Sequence, residues 1–321
     1  MNREKEIAPV AMFVYNRTAN ARRTLEALLR NTLAPRTDLY VFSDGGRDEK
    51  SWKQVNTLRR MLKEEQEKVQ NHGLLRSMTI VERERNIYLE ENILQGIAQV
   101  MRDNDRIIVL EDDIVTGPYF LEWMNQGLDL YEDNPRVMHI SGFTHLDLPG
   151  GVEGNGFYFT PHMGGWGWAT WRDKWQAHFR HFESREQALA TLTPQQIKEI
   201  EYDGEFPCLK FLDANPIPWD VCWEIAIKRV GGLCLTPCRT LVKNIGLYNG
   251  THFFSSRLIQ RFSFDRPAVT TPIRVVPVEN VQPTLWVEKD FKQAVHHWGI
   301  VYTPLGKIIR RAYLFIKGKG K

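Results

Sequence analysis

The chain has 321 residues, 42% hydrophobic and 25% charged, which suits a globular body with room for one large domain or two modest ones. A formal net charge of +3 is too small to point to nucleic acid as a partner. Residues 1–7 lack the apolar core of a signal peptide, and no apolar run reaches the length of a membrane span.

The four cysteines, Cys208, Cys222, Cys234 and Cys238, have neither CxxC spacing nor a zinc-type His pair beside them. The expectation is therefore reduced thiols in a cytoplasmic protein, in which the two Asn-x-Thr sequons are idle. Ten Trp and 16 Phe favour a site for flat or ring-shaped ligands, although aromatic residues also build cores.

Residues 10–14 read as a buried strand that runs into Tyr15-Asn16-Arg17-Thr18. Thr18 or Asn20 is placed to cap the following helix, which carries Leu25, Leu28 and Leu29. A second strand, 39–42, breaks at Ser43-Asp44-Gly45-Gly46, and a charged helix covers about 49–70. A third strand, 78–81, leads into Arg83, Arg85 and Asn86, and an amphipathic helix follows over about 89–103. Then four aliphatic residues, Ile107 to Leu110, run straight into Glu111, Asp112 and Asp113. This order of strands and helices, with a polar cluster after each strand, predicts a parallel sheet with helices on its faces. All four polar clusters then surface along one edge, where α/β proteins place ligands.

Three adjacent carboxylates repel one another and call for a cation, and hard divalent ions take oxygen ligands. The plain alternative is a solvated acidic turn. GxGxxG, GxxxxGK[ST] and GxSxG are all missing, which excludes a standard dinucleotide site, a P-loop and a hydrolase elbow. A nucleotide whose diphosphate is held through a metal remains.

Further on, 119–131 reads as a helix, 137–142 as a strand and 144–157 as a Gly-rich connection. In Gly164-Gly165-Trp166-Gly167-Trp168-Ala169-Thr170-Trp171 the glycines let backbone approach a ligand, or let indoles fill a tight core turn. Residues 184–206 are polar and helical. Asp220 stands near the start of an apolar helix over 222–227, where a helix cap is the bland reading. Placed between Trp219 and Val221, it is expected to be partly desolvated, which strengthens a carboxylate as a base. Glu224, one turn on, is the alternative base. A strand over 233–237 follows, and Gly250-Thr251-His252 forms a loop able to close over phosphates. The segment 305–321 mixes Lys and Arg with Leu, Ile, Tyr and Phe, the composition either of a tail lying on an anionic membrane surface or of a docked terminal helix.

With these motifs assembled, the chain resembles metal-dependent glycosyltransferases of the GT-A fold, similar to the N-acetylglucosaminyltransferase family that initiates complex N-glycans and to related bacterial sugar transferases. The resemblance rests on Asn16-Arg17, Ser43-Asp44, Glu111-Asp112-Asp113, the Gly164-to-Trp171 turn, Trp219-Asp220 with Trp223, and Gly250-Thr251-His252, and spans roughly residues 8–255. It implies a Rossmann-like α/β domain with a mostly parallel central sheet and helices on both faces. Residues 1–115 would form the nucleotide-sugar half and 116–270 the acceptor and catalytic half. A C-terminal extension, 271–321, would carry the basic amphipathic tail.

By the same resemblance, Arg17 and Asp44 bind the nucleotide, Asp44 facing uracil, with Asn16, Arg85 and Trp166 also on the donor. Glu111 touches the donor sugar, Asp112 the ribose, and Asp113 ligates Mn2+ or Mg2+. Asp220 is the catalytic base, and His252, which departs from the family pattern, serves the diphosphate or the metal. The implied reaction is inverting transfer from a UDP-sugar such as UDP-GlcNAc to a saccharide or lipid-linked saccharide, at the cytoplasmic face of the membrane if the tail rests there. Two other classes stay open. A sugar nucleotidyltransferase pairs a similar sheet with metal, but usually opens with a Gly-rich phosphate loop where this chain has Tyr15-Asn16-Arg17. A non-catalytic glycan-binding protein of the same fold has no need for both Asp113 and Asp220.

Overall fold

The computed structural model describes residues 6–146, 148, 156–246 and 266–290. The first half alternates strictly: β1 (Val10–Val14), α1 (Thr18–Leu29), β2 (Asp38–Ser43), α2 (Glu49–His72), β3 (Ser77–Glu82), α3 (Tyr88–Val100) and β4 (Arg106–Glu111). The second half adds β5 (Ile114–Thr116), α4 (Phe120–Leu130), β6 (Val137–Ser141), β7 (Phe157–Thr160), β8 (Trp168–Trp171) and α5 (Arg172–His178). The helices α6 (Arg185–Leu189), α7 (Pro194–Ile200) and α8 (Trp219–Arg229) follow, then β9 (Leu233–Pro237) and β10 (Val242–Asn244).

Eight strands join in the order β3-β2-β1-β4-β8-β6-β9-β7, and β5 pairs with β10 in a separate ribbon. The pairings β3-β2, β2-β1, β1-β4 and β6-β9 are parallel, while β8 and β7 run against their neighbours. The result is the expected Rossmann-like α/β class, a central sheet with one dominant strand direction and helices on both faces. Apolar side chains alternate between the faces. Val10, Met12 and Val14 of β1 pack with Leu25 and Leu28 of α1, Leu58 and Leu62 of α2 and Phe120 and Leu128 of α4. Ala11 and Phe13 pack on the other face with Ile93 and Ile97 of α3 and Trp223 and Ile227 of α8.

This layout has a consequence for the site. Helix α3 descends from the C-terminal end of β3, and α8 descends to the start of β9, so both begin at the same edge and on the same face. In the parallel register Phe13 of β1 lies opposite Glu111 of β4, which places Arg17 and the acidic triplet beside each other.

Two expectations are corrected. Thr18 is the first residue of α1, not its cap, and the capping position falls to Arg17, whose guanidinium only donates and so cannot accept from a helix amide. Residue 157, read as the last of a connection over 144–157, instead begins a fully buried strand, Phe157–Thr160. Beyond the second half, residues 266–290 lie along the body. Val269, Val275, Val281 and Val287 are buried, and backbone at Val276 and Val281 accepts hydrogen bonds from Tyr131 and Arg136. Residues 305–321 fall outside the described residues.

Candidate active site

The four parallel strand ends deliver their polar clusters to one edge. Arg17, after β1, donates two hydrogen bonds to Asp112 and places Nη1 2.9 Å from Asp113 Oδ2. Thr24 of α1 anchors the backbone carbonyl of Asp112 at 2.9 Å. Asp112 and Asp113 are buried, with 3% and 8% exposure, and Glu111 is half-buried. Burial raises all three carboxyls above the ordinary range; Asp113 and Asp112 raise that of Glu111 further, and Asp113 that of Asp112, against the pull of Arg17. Glu111 also feels the charge of Asp220, which places the base candidate within electrostatic reach of the triplet. Gly246, after β10, passes so close to Asp113 that a Cβ there would lie 1.9 Å from Oδ2, and Ile245 N donates to the Asp113 carbonyl at 2.8 Å.

Asp44, after β2, is 3% exposed, and its carboxylate accepts from Gly45 N, Ile87 N and Asn86 Nδ2 at 2.8–2.9 Å. It therefore ties the turn after β3 to the end of β2. Arg59 of α2 completes that junction by donating to Ser43, Asp44 and Arg83. Arg85, singled out from sequence, has an exposed side chain, and its backbone packs under Gly45. Arg47 instead lies over the rings of Tyr15 and Tyr88, at 5.4 and 4.7 Å from their centroids, and donates to Asn86. Asn16 donates to Gln54 at 3.0 Å. Trp166 is half-buried against Phe143, with ring centroids 4.4 Å apart.

The two acids of α8 part company. Asp220, in the first turn, is exposed, so the expected desolvation by Trp219 and Val221 is not what the structure holds. A residue at a helix start on the open sheet edge can stay exposed while its neighbours pack inward; Asp220 Oδ1 accepts from Val221 N at 2.8 Å, and Trp219 is 4% exposed. Glu224 is 4% exposed, near Lys228 and His162, and accepts from Met163 N at 2.9 Å. Burial opposes its charge, but Lys228 and His162 outweigh burial and hold its carboxyl below the usual range. His162 stacks on Tyr202 and also lies 3.3 Å from Glu288.

Sequence reasoning passed over Glu90, in the first turn of α3. Its Oε2 accepts from Trp219 N at 2.9 Å, and burial, with the charge of Asp220, lifts its carboxyl to about 7. No local pattern marks it, because its partner lies 129 positions along the chain. His252 and the Gly250-Thr251 turn lie outside the described residues.

Among the described residues no group of three or more His, Cys, Asp or Glu side chains is arranged to hold a metal by itself. Asp112 and Asp113 instead offer a paired, buried, all-oxygen donor set, with Arg17 as the positive charge at hand. That set fits a small hard cation that keeps most of its coordination for water and phosphate oxygens. None of the described helices is long and apolar enough to cross a membrane.

No protein-family model matches the chain, and no curated protein matches it. Among solved structures it is similar to the mannosyltransferase PcManGT from Pyrobaculum calidifontis in complex with GDP-Man and Mn2+, at 12% identity and a TM-score of 0.39, over 70% of this chain and 69% of that one. A second likeness is to S. aureus TarS 1-349 in complex with UDP-GlcNAc, at 15% identity and a TM-score of 0.31, over 46% of this chain and 36% of that one. This chain thus spans about a third of the TarS chain. With identities and scores this low, the functional reading rests on the site's own residues.

Proposed function

We propose that the protein is an inverting glycosyltransferase that moves a sugar from a nucleotide-sugar donor, a UDP-sugar such as UDP-GlcNAc in the leading reading, to a hydroxyl of a saccharide or lipid-linked saccharide. The observation that carries this is the convergence of Arg17, the half-buried Glu111 and the buried Asp112 and Asp113 with the exposed Asp220 on one sheet edge. The triplet is short of positive charge, as a site awaiting a cation and a phosphorylated ligand is. Asp220 is open to an incoming hydroxyl.

In this reading Asp113, with Asp112 beside it, holds Mn2+ or Mg2+, which stabilises negative charge on the departing diphosphate. Arg17 adds a second positive charge to the same region, and Glu111 lies towards the donor sugar. Asp44 shapes the nucleoside end through the turn at Asn86, with a lone pair of Oδ2 left for the base. Asp220 accepts the proton of the acceptor hydroxyl as its oxygen forms the new bond to the anomeric carbon. The bond from that carbon to the diphosphate oxygen breaks, and its electron pair leaves with the nucleoside diphosphate. Attack opposite the leaving group inverts the anomeric centre.

The test is nucleotide-sugar turnover with Mn2+ and with EDTA, after donors have been ranked by the rise in melting temperature that each produces. Turnover that needs the metal and collapses in Asp113→Ala and Asp220→Asn is expected. Undiminished turnover in both variants removes the assigned roles, and a product of retained configuration removes Asp220 as a simple base.

A further inference from the structure

Helix α8 is not capped from its N-cap position, and its own Asp220 Oδ1 accepts from the amide of Val221, at 2.8 Å. Its N-cap residue is Pro218, which has no polar side chain, and no side-chain cap is made from that position. The first-turn amide of Trp219 is nevertheless satisfied, by Glu90 of α3. The two helix starts lie side by side because both descend from the site edge on one face of the sheet, and their apolar residues share one core. Trp219 is held on its other side by stacking on Trp168, with centroids 5.1 Å apart. The residue that follows Trp219 in the helix is the exposed Asp220.

We propose that Glu90 is the positioning residue for Asp220: by capping α8 from α3, it locks the catalytic half to the nucleotide half and fixes where the base carboxylate stands. The proposal rests on the glycosyl-transfer reading of the site and adds to it a residue with no contact to donor or acceptor. A remote carboxylate at the N-terminus of α8 also suits the helix dipole. Burial, with the neighbouring Asp220, raises its carboxyl to about 7, so near neutral pH the clamp carries its charge in only about half of the molecules, and in both forms an oxygen is left to accept from Trp219 N. A neutral amide is then an adequate substitute, since Gln keeps the accepting oxygen.

The experiment compares wild type, Glu90→Gln and Glu90→Ala by two readouts. Amide exchange at Trp219 is expected to quicken about 10-fold in Glu90→Ala, which loses the cap, and to stay close to wild type in Glu90→Gln. In steady-state turnover Glu90→Ala is expected to lower kcat roughly 10- to 100-fold with the donor KM unchanged, as a small displacement of a base does. Glu90→Gln is expected to restore kcat. A merely structural role lowers folded fraction without this kcat-against-KM split or the amide rescue. Unchanged Trp219 exchange in Glu90→Ala, or equal kcat in all three proteins, overturns the proposal. If wild type turns over no nucleotide sugar, the functional reading fails on its own account, and the exchange data alone then decide whether Glu90 clamps α8.

Discussion

Two clusters of ionisable groups flank α8, one reaching its first turn through Glu90 and one built around Glu224, and they solve opposite problems. Below the first turn, Glu224 meets Lys228 and His162, and His162 meets Glu288. Both carboxyls are held below their ordinary range despite burial, through His162 and Lys228. At the sheet edge Glu111, Asp112, Asp113 and Glu90 are all raised, burial being the largest cause in each. A cluster balanced from within has nothing left to bind, whereas carboxylates under-supplied with positive charge are the mark of a site. Under the proposed function the same contrast favours Asp220 over Glu224 as base, since Asp220 is exposed at the edge and Glu224 is buried.

The sharpest way to break the contrast is to unbalance the interior cluster. Glu224→Ala leaves Lys228 facing His162 with one carboxylate removed, and breaking such a buried pair costs about 3–5 kcal/mol. Denaturant unfolding is expected to show that loss while turnover per folded molecule persists. Full stability with lost turnover would give Glu224 the catalytic role instead. At the edge the pattern reverses. Asp113→Ala is expected to cut turnover about 100-fold or more and to leave the metal-free protein as stable as wild type, because it removes a carboxylate that burial penalises.

The two clusters also give opposite pH signatures. A raised carboxyl contributes stability that is present below its unfolded value and is lost as pH rises through its folded value, about 7 for Glu90. A lowered one, as at Glu224 and Glu288, contributes stability above its unfolded value that is lost as pH falls through the folded one. Metal-free protein is therefore expected to lose about 1–2 kcal/mol between pH 5 and pH 8, since a tenfold change in proton affinity on folding is worth about 1.4 kcal/mol before solvent screening reduces it. Part of that loss disappears in Glu90→Gln. Added Mn2+ is expected to reverse the loss at pH 8 in wild type and not in Asp113→Ala. A melting temperature that is flat from pH 5 to 8 in chelator would mean that the edge acids are already neutralised by groups beyond these two clusters.

Much of the fold was legible because β1 to β4 are continuous apolar runs bounded by polar turns, the signal a parallel sheet leaves. The second half was harder to read. β7 and β8 are four-residue strands buried on both faces, so neither shows the alternation that marks a half-exposed strand. β5 and β10 have three residues each and exist only through pairing with one another. In the candidate site, local sequence put Arg17, Asp44 and the triplet at one sheet edge because each follows a parallel strand. It could not reveal that Asp44 spends its carboxylate on Gly45, Asn86 and Ile87, or that Glu90 reaches Trp219. Those are contacts between elements, set by which helices share a face.

The finest probe of the edge is Gly246, whose role is negative space. An added Cβ would meet Asp113 Oδ2 at 1.9 Å, Cγ at 2.7 Å and Cβ at 3.0 Å, so the carboxylate has to give way. Gly246 has no left-handed backbone to preserve, and its amide donates to Asn244 at 2.7 Å in a bond that alanine retains. Gly246→Ala is therefore expected to leave stability within about 1 kcal/mol while displacing the Asp113 carboxylate by about 1 Å, the shift that takes Oδ2 out of overlap with the new Cβ. A displacement of that size should weaken Mn2+ binding and turnover by about 100-fold. Titration of Mn2+ against the protein alone separates the two effects, since it reads Asp113 without donor or acceptor. Wild-type Mn2+ affinity in Gly246→Ala would place the cation away from Asp113 Oδ2 and shift the metal's weight to Asp112. A loss confined to metal binding ties the close approach of Gly246 to the acidic edge alone, with the cluster around Glu224 undisturbed.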